Sequence, residues 1–404
     1  MDRRRAMASR GTLPSPGRSR PQALRCLDHG GTSQLIDPFP PGASATAIPR
    51  IVHLASGREW RGGQRQVLIL AAGLVHNTDI DSVVVTGQGT ELAKRLTAAG
   101  VPIFVVPWML GLDPRVVMHA MSALRPGAII HAHDSHSHAL ADAISRMRDT
   151  PIVVTRRVTT MIKNPRRYKS AGAVIAISNA VRDLLLRAGV SSEKIHVIPD
   201  AVDLEHVDTQ VEWPGGVPAV PAGTPLIVCV AALTKEKGVD LLIDAAAILR
   251  TTHPAARWLV LGEGPDREAL EARSKASGTD QVVTLAGFVN APEAILRTAT
   301  VAVQPSHSEG LGSSVLDALA LGIPVVATSV GGLPDALAHG GGVLVPPGSA
   351  VELAGAVARL LDDGSARERL SHAGRGAAAE FGVDKLVQRT LDVYRSVAQT
   401  QGAR

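Results

Sequence analysis

From Ile51 onward the chain alternates short, continuous runs of apolar, mostly β-branched residues with longer segments whose apolar positions recur at helical spacing. In the first half the runs are IVHL, SVVVT, PIFVV, AIIHAH, PIVVT, AVIAIS and IHVIP, each read as a strand. Between them lie segments such as Gln64–Leu74, where Val67, Leu68, Leu70, Ala71 and Leu74 share one helical face. Strands apolar on both faces, joined by crossover helices, predict a parallel sheet covered on both sides. The alternation is lost over residues 207–225, VDTQVEWPGGVPAVPAGTP, where prolines and glycines without period predict a linker. It restarts with LIVCVA, RWLVLGEG, VVTLAG, VAVQPS, PVVAT and GVLVPPG. The expected fold class is therefore α/β, with two doubly wound, Rossmann-like parallel-sheet domains spanning 49–206 and 226–383. Residues 384–404 add one amphipathic helix, expected to pack back across the hinge. Ligands of such folds bind outside the carboxyl ends of the strands, so those ends are where chemistry is sought.

Length agrees, since 404 residues exceed what a single core usually holds. Charge changes the picture more. The net charge is +5, and residues 1–50 alone carry eight arginines against three aspartates, which accounts for all of it. The folded body is thus neutral, and a nucleic-acid partner is not expected. The basic segment 1–48 is rich in Pro, Gly, Ser and Arg and reads as a disordered tail. An early start codon, or a tether to an anionic membrane, would have the same composition. No run is apolar and long enough for a signal peptide or a membrane span, so a cytoplasmic protein is expected. Two cysteines far apart, Cys26 and Cys229, exclude a disulfide framework.

The richest stretch is SHSEGLGSSVLDALALGIPVVATSVGGLPD, Ser306 to Asp335. A strand, VAVQPS, leads through the loop HSEGLG into a helix that Gly322 and Pro324 stop. Gly310 and Gly312 let backbone approach a ligand, and the free amides of the first turn at Ser313 and Ser314 suit a phosphate group. Glu309 stands beside that turn and Asp317 farther along the helix. The plainer alternative makes Ser313 a simple N-cap and Asp317 an acid of the first turn.

This stretch resembles the signature of the retaining, nucleotide-sugar-dependent glycosyltransferases of the GT-B fold: a Glu, seven residues, a second acid, then G-x-P-V-V-A-T and G-G-x-P. The likeness runs over roughly residues 50–400. It implies a hexosyltransferase-type, metal-independent enzyme without cofactor, taking a nucleotide sugar as co-substrate. Glu309 would contact the transferred sugar, and Asp317, standing where the family usually has Glu, would hold the ribose. The loop Gly310, Leu311, Gly312, Ser313 and Ser314 would hold the diphosphate. In AALTKEKGVDLLI, Lys237 matches the family lysine that stabilises the leaving diphosphate, while Ala232 stands where an arginine is frequent. Gly62 and Gly63 match the first-domain loop that closes on the diphosphate and the acceptor, and Gly262 and Gly264 of LGEGPD lie where the family's nucleotide does.

Two clusters remain. IIHAHDSHSHA carries His131, His133, His136 and His138, which by themselves allow a metal or a polar loop. The resemblance implies His133 as the residue near the reacting carbon, and no metal. TRRVTTMIKNPRRYKS carries Arg156, Arg157, Arg166 and Arg167 with no acid from Thr150 to Arg182. This run is expected to receive an anionic acceptor or a membrane surface, unless it is merely solvated. The pair Asp79 and Asp81 mimics an acid-x-acid metal motif but precedes its strand, the wrong end for a site. The expected reaction transfers a sugar, with retention, to a glycan or lipid-linked hydroxyl in cell-envelope synthesis, possible peripheral membrane contact included. An epimerase of the same fold and a passive sugar-binding protein are the alternatives.

Overall fold

The computed structural model describes residues 50–78, 80–108, 114–204 and 212–402. The basic segment 1–48, Asp79 and the start of the 207–225 linker lie outside the described residues. Among these described residues, thirteen strands form two sheets in which every paired strand runs parallel. The first holds β1 (Ile51–Ala55), β2 (Ser82–Gly87), β3 (Ile103–Val106), β4 (Ile129–Ala132), β5 (Ile152–Arg156), β6 (Ala173–Ala176) and β7 (Ile195–Val197). Its order is β3-β2-β1-β4-β5-β6-β7. The second holds β8 (Leu226–Val230), β9 (Arg257–Leu261), β10 (Val283–Gly287), β11 (Val301–Gln304), β12 (Val325–Thr328) and β13 (Gly342–Val345). Its order is β10-β9-β8-β11-β12-β13. Each strand falls on one of the apolar runs of the sequence.

Helices α1 (Gly62–Asn77), α2 (Glu91–Ala98), α3 (Pro114–Ala123), α4 (Ser135–Arg148), α5 (Pro165–Ser170) and α6 (Asn179–Arg187) accompany the first sheet. With the second run α7 (Val239–Leu249), α8 (Arg267–Ala276), α9 (Glu293–Leu296), α10 (Ser313–Leu321), α11 (Leu333–Ala336), α12 (Ala350–Asp362) and α13 (Gly364–Ala378), and α14 (Val383–Gly402) follows. No described helix is long and apolar enough to cross a membrane. In each sheet the strand order reverses beside the domain's first strand, between β1 and β4 and between β8 and β11. Crevices open at the carboxyl ends of strands at such points.

The last helix belongs to the first sheet. Leu386, Val387, Leu391, Tyr394 and Val397 of α14 are buried with Ile69, Leu70 and Leu74 of α1 and with Ile51, Ile129 and Val153 of the strands. Each such side chain contributes about 1.5–3 kcal/mol of burial. α1 has Gly73 where a Cβ would meet Val387 and Val383 at 2.7 and 2.9 Å, so the two helices lie close together. Tyr394 is fully buried, and its hydroxyl lies 2.6 Å from His131 Nδ1 on β4. Tyr394→Phe is expected to leave that nitrogen without a partner and to cost about 1–2 kcal/mol of stability. Urea unfolding of the two proteins measures it, and coincident midpoints would show that the bond contributes nothing.

Candidate active site

The second-domain half is built around the β11–α10 loop. Gly312, with φ of 96°, directly precedes α10, so Ser313 is the first helical residue rather than the cap. Asp317 therefore lies past the first turn, and the plain helix-start account of these residues does not hold. The loop is pinned to the short 3-10 turn Lys235–Lys237, because His307 N and Ser308 N donate to the Glu236 carbonyl at 2.9 and 3.1 Å. Gly238 closes that turn with φ of 64°, and a Cβ there would lie 2.0 Å from the Pro305 carbonyl oxygen. Only glycine fits. The result sets Lys237 Nζ 2.9 Å from Glu309 Oε1 and 2.8 Å from Oε2. The Glu309 carboxylate is buried, and its Oε2 also accepts from Gln304 Nε2 and Ser306 Oγ, both at 3.1 Å. Its backbone neighbour, the Gly310 amide, donates to Oε1 at 3.2 Å.

The first domain meets this half closely. A Cβ on Gly310 would come within 2.2 Å of the Arg157 carbonyl oxygen, so glycine is what allows the two backbones to touch. Gly62, at the start of α1, faces the Ser313 side chain, with 2.9 Å between its ideal Cβ and Ser313 Oγ. Thr159 and Ser308 share a hydroxyl hydrogen bond of 2.7 Å, and Asp335 accepts from the Asn179 amide at 2.6 Å. Asp317 is already engaged: Arg65 Nη1 of α1 donates to its Oδ2 at 2.5 Å. Arg65 Nη2 lies 3.5 Å from Glu293 Oε1 of α9. The cleft between the domains measures about 2050 Å³. Its lining includes Gly62, Gly63, Lys237, Gly262, Gly264 and Asp317, together with Glu309, Gly310, Leu311, Gly312, Ser313 and Ser314.

His133 is placed differently from Lys237 and Glu309. It is buried and does not line the cleft; Arg157 does, with Nη1 3.4 Å from His133 Nδ1. A guanidinium only donates, so Nδ1 accepts and Nε2 carries the proton. That proton goes to His53 Nδ1, 2.9 Å away, which leaves the His53 Nε2–H buried without an acceptor. The His131 ring lies tilted against His133, with 4.1 Å between centroids, and bonds to Tyr394 and, at 2.7 Å, to Thr155. The three rings offer ligand atoms within 4.8 Å of one another and are the described cluster that could hold a metal. Five of their six nitrogens already have protein partners, and the Arg157 charge beside His133 opposes a second cation. Burial first, then Arg157, pushes His53 down to about 3. Burial first, then the neighbouring rings and Arg157, holds His131 and His133 well below their usual range.

Of the four arginines in the basic run, Arg157 alone lines the cleft, where its Nε donates to Asp200 at 3.0 Å. Arg156 is buried the other way, over the Tyr168 ring, with Nη1 2.8 Å from the Tyr168 hydroxyl and Nη2 on the Thr160 carbonyl. Burial removes it from acceptor binding. Arg166 is exposed on α5, and Arg167 lies 3.8 Å from Asp142 of α4. Neither reaches the cleft, because α5 folds back on α4. Asp81 ties down Arg50 and Arg125 at 2.7 and 3.1 Å, a structural clasp at the amino end of β2. Arg65, Glu293, Asp200 and His53 were not singled out from sequence. Arg65 had one signal: a cation in a helix's first turns opposes the dipole and calls for another reason to be there.

Two doubly wound domains facing across a cleft, with an acid–lysine pair beside a helix N-terminus, define the GT-B class of glycosyltransferases. The profile of the family described as Glycosyl transferases group 1 matches residues 217–377, and that of Glycosyltransferase Family 4 matches residues 60–206. A D-inositol 3-phosphate glycosyltransferase of Arthrobacter sp. (strain FB24) is 32% identical over 296 residues, covering 66% of this chain and 70% of that protein. An alpha-D-kanosaminyltransferase of Streptomyces kanamyceticus is 29% identical over 300 residues, covering 67% and 78%. Among solved structures, Anabaena Alr3699/HepE in complex with UDP and glucose superposes with a TM-score of 0.73 at 18% identity, covering 85% of this chain and 98% of that one. The chain belongs to the group 1 glycosyl transferases.

The histidine cluster gives a testable acid response. Each ring is held neutral when folded but takes up a proton near pH 6.5 when unfolded, so the unfolded state binds more protons as pH falls. Stability is therefore full above about pH 6.5 and is lost below it, by up to about 1.4 kcal/mol per pH unit for each histidine. Urea midpoints between pH 7.5 and 5.5 should fall steeply, and less so in His53→Asn. A midpoint independent of pH over that range contradicts neutral burial.

Proposed function

We propose that the chain transfers a sugar from a nucleotide-diphosphate-sugar donor to a hydroxyl of a glycan or lipid-linked acceptor, with retention and without a resident metal. The observation that carries this is the Lys237–Glu309 pair at the N-terminal end of α10, facing Gly62 and Gly63 across the cleft. The free amides of Ser313 and Ser314 and the helix dipole receive the diphosphate. Lys237 stabilises its charge as the glycosidic bond breaks, while Glu309 fixes the ammonium and contacts the sugar. Asp317 accepts from the ribose hydroxyls, and Gly262 and Gly264 border the nucleotide. Arg157 reaches the sugar side, and His133 acts through it by fixing its guanidinium. No metal enters, because the histidine trio faces the Arg157 cation rather than a counter-charge.

Support for the donor comes from Anabaena Alr3699/HepE, whose structures hold UDP, glucose and UDP-glucose. For the acceptor, exposed Lys163, Arg166 and Lys169 on the outer face of the first domain suit an anionic carrier or the surface of an anionic membrane. A role in cell-envelope synthesis at the cytoplasmic face follows from that acceptor. The name of the first relative favours a second acceptor class, a small hydroxyl-rich molecule such as an inositol phosphate.

The purified chain is to be incubated with a panel of nucleotide sugars, alone and with lipid-linked, glycan and inositol phosphate acceptors. Slow hydrolysis of one donor, accelerated transfer to an acceptor and an unchanged anomeric configuration by NMR are expected. Interconversion of the sugar would instead indicate an epimerase, and binding without turnover a passive module. Lys237→Met should lower turnover by about 10²- to 10³-fold. Glu309→Gln should lower it at least about 10²-fold. A Glu309→Gln enzyme of full activity would falsify the assignment.

A further inference from the structure

Arg65 is the residue of the cleft whose bonding is unfinished. It comes from the first domain, yet both of its close partners are carboxylates of the second: Asp317 at 2.5 Å and Glu293 at 3.5 Å. Its side chain is 18% exposed, and those of its partners 7% and 9%. Asp317 bonds only Nη1. Nη2 is buried and has no hydrogen-bond partner, because the Glu293 contact lacks hydrogen-bond geometry. A buried, charged N–H without an acceptor is costly, and such groups are rare in folded proteins. Here the unpartnered donor belongs to a residue of the cleft wall, on the turn of α1 that begins at Gly62 against Ser313. The other two cations described above are less open: Lys237 is chelated by both oxygens of Glu309, and Arg157 is tied to Asp200 and His133.

We propose that Arg65 is a donor-binding residue delivered across the cleft, whose Nη2 donates to a non-bridging oxygen of the donor's diphosphate while Asp317 and Glu293 hold it in place. The inference rests on the reading of this cleft as a nucleotide-sugar site. A diphosphate oxygen is favoured over a sugar hydroxyl because a guanidinium bonds most strongly to an anionic oxygen. Removing Arg65 would leave Asp317 and Glu293 facing the incoming anion without a cation between them. Donor affinity thereby depends on the two domains being together, since the donor-holding domain borrows this cation from its partner.

Calorimetric titration tests this with UDP, GDP, ADP and TDP, taking the tightest binder together with its nucleoside. Thermal melting first establishes that Arg65→Met and Arg65→Lys are folded. Arg65→Met should weaken the nucleoside diphosphate by about 10- to 100-fold and the nucleoside much less. Arg65→Lys, which keeps the charge but loses the forked geometry, should fall between. Unchanged or tighter diphosphate binding by Arg65→Met overturns the proposal and makes Arg65 a latch that the donor must displace. An equal loss for nucleoside and diphosphate also overturns it, by placing Nη2 on the ribose. If the wild-type chain binds none of the nucleotides, the reading of the cleft itself fails. Wild-type binding that survives Arg65→Met fails the inference alone.

Discussion

The ion pair of Lys237 and Glu309 is the contact on which the arrangement of the cleft depends. Its two members come from different loops, each following a strand that flanks the switch point of the second sheet. They meet because the Glu236 carbonyl captures two amides of the β11–α10 loop and because Gly238 admits the Pro305 carbonyl. Placing a lysine and a glutamate in a partly buried site costs desolvation that the pair alone repays only with good geometry. The additional donors from Gln304, Ser306 and Gly310 supply that geometry, so the carboxylate is held at a fixed point before any ligand arrives. Preorganisation of this kind removes reorganisation from the reactive step.

The first domain completes the site by contact rather than by proximity. Gly310 touches the Arg157 carbonyl, Thr159 bonds Ser308, and Arg65 reaches Asp317. Behind Arg157 stands the neutral, buried hydrogen-bonded pair His133–His53, and His131, bonded to Tyr394 of the last described helix, packs its ring against both. The last described helix thus packs behind a wall of the cleft that the first domain forms. Sequence separation between Tyr394 and His131 is 263 residues, so this support exists only in the folded protein.

That separation also marks the limit of what the sequence tells. The thirteen strands were legible because parallel strands buried on both faces are written as unbroken apolar runs. Lys237 and the Glu309–Ser314 loop were legible as positions because each sits at a strand's carboxyl end with its glycine beside it. Cross-domain partners were not: nothing local to Asp317 announces Arg65, and nothing local to His133 announces His53. The basic run illustrates an intermediate case. Arg156 and Arg157 are adjacent at the end of β5, and side chains alternate sides along a strand. One had to turn inward, toward Tyr168, and the other toward the cleft. Alternation could therefore have divided the pair, although not chosen which member faced the ligand. The charge of the run as a whole said nothing on that point.

An anion-binding cleft is expected to display bare positive charge, and among the described residues this one does not. Lys237, Arg157 and Arg65 each face a carboxylate: Glu309, Asp200 and Asp317. In a poorly solvated site an uncompensated cation would be destabilising by several kcal/mol, so the empty enzyme must supply counter-charges of its own. Pairing does not exhaust these cations, because an ammonium or a guanidinium carries more N–H groups than one carboxylate takes up. What remains for a ligand is a set of directed donors rather than a diffuse field. Directed donors discriminate by geometry, and they act at short range where charge develops, whereas a field attracts any anion from a distance. The neutral folded body and the paired cleft are thus two expressions of one constraint: recognition here is by hydrogen-bond direction, with charge kept balanced until the substrate supplies its own.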